Sequence, residues 1–435
     1  MGAVLRAGGY PVKIVESASL GLSFSQTLEY IFPEKPSYVG LSCTTAAVDN
    51  AAGIARAVKG KSPETLIFVG GPHITALPGE TFRRYPAFDY GVVGEGEMAF
   101  LDLLEAVEGS GKCERVESVV FRSNGEVYVN PRRRFIENLD QLPFPAYDLL
   151  PFFPSKYHPP FLNYLKGPAA SLASSRGCPQ VCTFCDRSVF GNQYRYFSEE
   201  YLLELISHLH QKYRIQHLVF ADDQFAASKS RLIRFCERLA QKNLRIRWNC
   251  DARVDSVDPE LLKIMRRAGC WMISYGIESG SQEILDNIQK GFKLEQVERA
   301  VRWTKEAGIR AKGLFMIGYP EETEETVRQT LSLLLRCPLD EMNLSFLTPY
   351  PGTEIYQQAW RSSGFVEDWG RMNAMNPLLK PEALAGGVLE KAHAKMIRRF
   401  YMRPGITFSY LGLLMRSPEN WTRLAAGLAR WLLTR

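Results

Sequence analysis

Twice along this chain, short β-branched or Gly-terminated runs alternate with amphipathic stretches, and that alternation points to parallel α/β sheets. The first block runs from residue 1 to 130 and contains YVGLSC (38–43), TLIFVGG (65–71) and YGVVGEGE (90–97), with the helical stretch VDNAAGIARAVKG at 48–60. The second runs from 168 to 353, with strands predicted near 169–174, 216–221, 245–251, 271–277, 310–317 and 341–347. Helices are predicted near 198–214, 228–243, 258–268, 280–288, 294–307 and 323–336. Ser198 is placed to cap one helix ahead of Glu199 and Glu200, while Asp258–Pro259 opens another that Gly269 closes. Six βα units suit a partial, open (β/α)6 barrel of the TIM type. Residues 131–167 read as a linker, with seven prolines between 131 and 161. From 354 to 435 the chain reads as helical and becomes basic.

Composition narrows the class. At 435 residues two or three domains are expected, and 46% hydrophobic with 23% charged residues is a soluble globular balance. A net charge of +6 over this length carries no nucleic-acid signature. No apolar run reaches the ~18 residues of a spanning helix, and the N-terminus lacks the long apolar core of a secretory signal. Nine cysteines, three of them crowded into 178–185, do not form a disulfide framework, which suits a reducing cytoplasmic compartment. Residues 391–435 hold nine Lys/Arg and one acid, Glu419, among aromatic residues. Two readings stay open there: a helical cap on the barrel, or an interfacial helix in peripheral membrane contact.

The segment SSRGCPQVCTFCDRS sets Cys178, Cys182 and Cys185 at C-x3-C-x2-C spacing. Three thiolates so close can surround one metal centre only in a tight loop, and Gly177 and Pro179 supply that loop. A cubane cluster takes four thiolates; three leave one iron open to a ligand. A structural zinc site would want a fourth Cys or His nearby, and the closest downstream histidines, His208 and His210, fall on a predicted amphipathic helix. A lone redox C-x-x-C is the third reading.

The triplet, with Phe184 just before its last cysteine and a strand ahead of it, resembles the radical S-adenosylmethionine (SAM) superfamily. That resemblance implies a [4Fe–4S] cluster on Cys178, Cys182 and Cys185 whose open iron chelates SAM, and a 5′-deoxyadenosyl radical from SAM cleavage. It also implies SAM contacts further on: Asp222 and Asp223 of FADDQFA for the methionine ammonium, Arg253 of WNCDARVD for the carboxylate, and Glu278 of WMISYGIESGS for the ribose. Ile317, Gly318 and Glu321 of GLFMIGYPEET match the stretch that packs on adenine. A plainer reading makes Asp223 the cap of the next helix.

The strand ends of the first block resemble the cobalamin-binding domain found upstream of many such enzymes, a flavodoxin-like, Rossmann-type fold. Ser42, Thr44, Gly70, Gly71, His73, Gly94 and Gly96 are its candidate cobalamin contacts, where small residues allow close backbone approach. His73 stands outside the D-x-H-x-x-G arrangement that supplies a cobalt ligand. The family's opening strand has no counterpart: MGAVLRAGGYPVKIVES reads as the end of a first helix and a second strand. The missing strand would sit inside the sheet, so either the true start lies upstream or the domain is degenerate and cobalamin binding is lost.

The family resemblance thus implies a cobalamin-dependent radical SAM enzyme that methylates an unactivated carbon. Radical cyclisation or rearrangement, like that of anaerobic porphyrin-ring cyclases, is a second reading, and a non-catalytic metal-binding interaction protein is a third of another class. Methylthiolation of tRNA is disfavoured by the absence of a second cysteine triplet. The implied partners are a small-molecule substrate, lipid-like or tetrapyrrole, and an electron donor such as flavodoxin or ferredoxin; no nucleic acid is expected.

Overall fold

The structure, a computed structural model, describes residues 1–109, 112–157, 159, 167–361 and 364–415. The chain folds into two compact units that interleave in sequence. The first comprises Met1–Phe153, Thr183–Arg195 and Thr348–Leu379, and the second Pro154–Cys182, Tyr196–Leu347 and Lys380–Arg435. These units do not follow the chain in linear blocks. The cause is burial: Tyr356, Trp369, Met372 and Leu378 lie in one core with Val48, Ala52, Ile74 and Tyr85. A Pro-rich composition signals a connection without saying which core its apolar side chains join.

In the first unit five strands follow in order: β1 (Tyr38–Ser42), β2 (Leu66–Gly70), β3 (Tyr90–Val92), β4 (Val119–Ser123) and β5 (Glu126–Val129). β1, β2 and β3 are parallel as the alternation predicts, whereas β4 and β5 form an antiparallel hairpin on β3. Asn124 and Gly125 turn that hairpin with φ of 50° and 83°, and Asn-Gly is the preferred pair for two left-handed positions. α1 (Gly2–Ala7) matches the predicted helix end, but the second strand expected after it does not form, because residues 10–16 carry no ladder. β1 has a partner on one side only and forms the sheet edge. β1, β2 and β3 lie directly side by side, with no gap between them.

The second unit has six parallel strands: β6 (Ala169–Leu172), β7 (His217–Phe220), β8 (Arg247–Ala252), β9 (Cys270–Glu278), β10 (Arg310–Ile317) and β11 (Glu341–Phe346). They lie side by side in that sequence, as an open (β/α)6 arrangement requires. Ser198 caps the first helix by accepting from the Tyr201 amide, and Asp258 caps another through Glu260 and Leu261. The Tyr275 hydroxyl meets Thr304 on the helix Leu294–Glu306 at 2.7 Å, which marks the helix-covered sheet face. Residues on that face, Trp248, Ile273, Tyr275 and Phe315 among them, are buried. On the other face Asp251, Ser274, Lys312 and Glu341 stand in register across four strands, and Lys312 pairs with Glu341 at 2.7 Å. Burial alternates along β10 for this reason.

An open barrel has an edge, and β11 is one. The helix Val388–Tyr401 covers it: His393 Nε2 lies 3.0 Å from the Leu344 carbonyl while its ring stacks on Phe346, and the Tyr401 hydroxyl donates to the Met342 carbonyl at 2.6 Å. Side chains thus satisfy edge carbonyls that another strand would otherwise seek. The start of the basic tail accordingly caps the sheet. Residues 416–435, on which the interfacial-helix reading rests, lie outside the described residues. Among the described residues no helix is long and apolar enough to cross a membrane.

Gly269 ends the helix Pro259–Arg267 at φ 101°, where an added Cβ would lie 2.3 Å from the Ile246 carbonyl oxygen. Gly269→Ala is expected to cost about 3 kcal/mol from backbone strain plus this clash, measured as a fall in urea midpoint at unchanged m value.

Candidate functional site

The cysteine loop begins where β6 ends. Its start is fixed by Asp222, which follows β7: both carboxylate oxygens accept from the Ser174 amide at 3.1 Å, and Oδ1 also takes the hydroxyls of Ser174 (2.8 Å) and Ser175. Asp222 is 6% exposed, and burial pushes its carboxyl up against the opposing pull of these donors. Arg231 completes the anchor by donating to the Ser174 carbonyl at 2.9 Å. Asp223 accepts from the Gly177 amide at 3.0 Å, where Gly177 turns the loop at φ 80°. The two aspartates therefore divide the work. Asp222 spends its oxygens on the loop, whereas Asp223 remains solvent-exposed and keeps capacity for a ligand. Asp223 is not the cap of the next helix; Ser228 occupies that position.

Within the loop Cys178 is half-buried, Cys182 buried and Cys185 exposed, with Phe184 half-buried between the last two. Burial raises the Cys178 thiol pKa, and the Arg253 charge counters that rise. Among the described residues no three His, Cys, Asp or Glu side chains converge on a single-ion site. A cubane sets a separate iron against each thiolate, so no common point is required of its ligands. The donor set therefore fits an iron–sulfur cluster: three thiolates in one anchored loop, with Arg253 Nη1 buried and unpartnered among the described residues.

The other predicted SAM contacts lie at or just beyond the strand ends. Arg253 is clamped: Nε and Nη2 donate to Asp255 at 2.9 and 2.7 Å, and Nη2 also reaches the Lys290 carbonyl at 2.7 Å. Glu278 adopts φ 68° after a bulge in β9 and pairs with Lys290 at 2.8 Å, both side chains at least nine-tenths buried. Gly276 leaves room for that pair, since a Cβ there would lie 2.8 Å from Glu278 Oε1. Gly318 is buried with φ 98°, and Ile317 lies on the helix-covered face, so its side chain is turned from the polar face of the sheet. Glu321 is exposed; the buried acid of that stretch is Glu322, which accepts from the amides of Gly318 and Tyr319. Burial lifts the Glu322 carboxyl to about 7. Asp255, Lys290 and Glu322 escaped the sequence reading. Asp255 had a signal, two residues after Arg253; Lys290 had none, because its partner is twelve positions away.

In the first unit the candidate cobalamin contacts gather at the carboxyl ends of the parallel strands. Ser42 and Thr44 are exposed, and Gly70, Gly71, Gly94 and Gly96 are half-exposed. Ser42 and Gly70 are register partners. Gly71, at φ 104°, lets the β1 and β2 ends approach, as its Cβ would sit 2.7 Å from the Cys43 carbonyl oxygen. Thr75 ties the rim by donating to the Gly71 carbonyl and accepting from the Gly94 amide. A bare rim of hydroxyls and backbone fits the edge of a broad planar ligand. His73 departs from this set. It is 1% exposed, its Nδ1 meets Thr45 at 3.2 Å and its ring lies edge-on to Trp369.

Burial holds the His73 imidazole down to about 4. The unfolded chain takes up this proton near 6.5 and the folded chain does not, so the stabilisation is whole above 6.5 and is lost as pH falls towards 4, about 3 kcal/mol in all. His73→Gln is therefore expected to flatten the fall in denaturation midpoint between pH 7.5 and 5, read by fluorescence-monitored urea titrations.

Known proteins match this arrangement. The Radical SAM superfamily model matches residues 172–334, and the B12 binding domain model matches residues 1–104. An uncharacterized methyltransferase of Pyrococcus horikoshii is 33% identical over 399 residues, covering 91% of this chain and 85% of the relative. The anaerobic magnesium-protoporphyrin IX monomethyl ester cyclase of Rubrivivax gelatinosus is 30% identical over 92% of this chain and 72% of its own length. Among solved structures, the radical S-adenosylmethionine methyltransferase TsrM of Kitasatospora setae, with cobalamin and a [4Fe–4S] cluster bound, superposes with a TM-score of 0.70 at 18% identity, over 92% of this chain and 81% of that one.

Proposed function

The chain belongs to the radical SAM enzymes that carry a B12-binding domain, and from that premise we propose that it transfers a methyl group to a carbon of a small-molecule substrate. Its cofactors are a [4Fe–4S] cluster, SAM and cobalamin. The observation that carries the methyl-transfer reading is the likeness to the Pyrococcus methyltransferase along nine-tenths of the chain. When bound, these cofactors supply a 5′-deoxyadenosyl radical and a transferable methyl group.

The chain's own residues hold and orient. Cys178, Cys182 and Cys185 ligate the cluster, and Asp222 fixes the start of their loop through Ser174 and Ser175. Asp223 accepts from the SAM ammonium with the carboxylate capacity it retains. Glu278, held by Lys290, meets the ribose, and the backbone of Gly318, braced by Glu322, lies against the adenine. Ser42, Thr44, Gly70, Gly71, Gly94 and Gly96 would receive the corrin, while His73 is held in the core by Thr45 and Trp369. An external low-potential donor supplies the electron.

The Rubrivivax likeness favours a tetrapyrrole as the substrate class to test first, with ring closure as the second reading. The test is anaerobic incubation of the reconstituted protein with cobalamin, a reductant and SAM deuterated at its methyl group, against a panel of tetrapyrroles and lipids. Methyl transfer yields a product carrying the labelled methyl. Cyclisation yields one that has lost hydrogen and gained no label, and that result overturns the methyl-transfer reading.

A further inference from the structure

The helix Val388–Tyr401 has two faces of opposite character. Leu389, Met396 and Phe400 are buried on one, where His393 and Tyr401 satisfy the β11 edge. On the other, Lys391, Lys395, Arg398 and Arg399 are all exposed. At 3.6 residues per turn these four share an arc of about 100°, and Met402, which ends the helix, continues their stripe. The one acid of the helix, Glu390, pairs with Lys380 at 2.7 Å. None of the four cations has an ion-pair partner among the described residues.

Like charges at i,i+4, as in Lys391 with Lys395 and Lys395 with Arg399, repel one another, and a negatively charged counter-surface removes that repulsion. Apolar side chains accompany the stripe. Met402 and Phe408 are each 71% exposed. Phe408 belongs to the next helix, Pro404–Met415, whose sequence PGITFSYLGLLM carries no charge and buries Ile406. Residues 416–435 continue the composition, with Arg416, Arg423, Arg430 and Arg435 against the single acid Glu419, and with Trp421 and Trp431. A nucleic acid would attract the cations and leave Met402 and Phe408 in water. Lipid takes both, the headgroups drawing the cations and the acyl boundary the apolar tips. Among the described residues no helix is long and apolar enough to cross a membrane, so the contact this face offers is with a bilayer surface.

We propose that this face docks on an anionic lipid bilayer: Lys391, Lys395, Arg398 and Arg399 engage the headgroups, and Met402 and Phe408 enter the interface beside them. The opposite face of the same helix stays on β11, so docking leaves the strand edge capped. The cations act over about 10 Å in 0.1 M salt and the apolar tips only on contact, so salt separates the two contributions.

The test is cosedimentation of the full chain with phosphatidylcholine vesicles, made with and without phosphatidylglycerol, and read as a partition coefficient. Wild type is expected on the anionic vesicles alone, with partition falling at least about tenfold as salt rises from about 0.1 M to about 0.5 M. Each cation near an anionic leaflet is worth about a fivefold gain in partition. Lys391→Gln combined with Lys395→Gln, Arg398→Gln and Arg399→Gln is therefore expected to lower partition at least about a hundredfold. Its urea midpoint should match wild type, because all four side chains are exposed. Phe408→Ser should lower partition about tenfold and leave the salt dependence unchanged. Wild type that stays in solution with anionic vesicles, or a fourfold variant that partitions like wild type, overturns the proposal. So does binding of duplex DNA as tight as that of vesicles with Phe408→Ser without effect, which makes the face a nucleic-acid site. Partition is read without SAM or turnover, so these outcomes leave the methyl-transfer reading standing.

Discussion

Cys182→Ala is expected to leave a folded chain that retains no stable [4Fe–4S] cluster and forms 5′-deoxyadenosine more than about a thousandfold more slowly than wild type. Cys182 is 4% exposed, so the fold pays only for a small void, about 1 kcal/mol. The chemistry loses far more, because two thiolates cannot hold a cubane that already lacks its fourth. The measurement is iron per chain with the charge-transfer absorbance of the reconstituted protein, beside 5′-deoxyadenosine formed from SAM and a strong reductant. Cys236→Ala is the control, for Cys236 is a fully buried helix residue outside the loop. Equal 5′-deoxyadenosine yields from Cys182→Ala and wild type would end the radical-enzyme reading.

Asp222→Ala is expected to lose cluster loading by a structural route. Removing the carboxylate strands the Ser174 amide and two hydroxyls in a buried place, a cost of about 3 kcal/mol. It also frees the start of the cysteine loop. Asp222→Asn keeps one acceptor oxygen and should cost about 1 kcal/mol, with loading largely preserved. Asp223→Asn should leave stability and iron unchanged and weaken SAM binding about tenfold, through loss of one charged contact. Iron content, thermal unfolding and SAM-binding calorimetry on the three reconstituted variants separate these roles. If Asp222→Ala loads iron like wild type while Asp223→Asn does not, the division between the two aspartates is reversed.

How far these sites could be read before folding varies with how local their causes are. All six strands of the second sheet fall within a few residues of their predicted spans, because alternation of apolar runs and amphipathic helices is a local pattern that parallel βα units amplify. The cysteine triplet is local as well. By contrast, the ion pair of Glu278 with Lys290 and the hold of the Lys290 carbonyl on Arg253 depend on a bulge and on loops that meet only after the strands assemble. Ile317 and Glu321 were placed by motif, yet strand pleat turned Ile317 to the helices, and the buried acid is Glu322. His73 shared the small-residue pattern of its neighbours, but Trp369, nearly three hundred positions along the chain, packs against it.

By itself the sequence determined the two α/β blocks, the three-thiolate loop and the family to which the chain belongs, since each rests on residues close together in the chain. Only the tertiary structure decided that the second aspartate is the one left solvent-exposed, that Arg253 Nη1 has no partner among the described residues and that the start of the basic tail caps the strand edge of β11. Those facts arise from pairing between residues far apart in sequence, and side-chain spacing along the chain carries no record of which distant group will satisfy a buried charge.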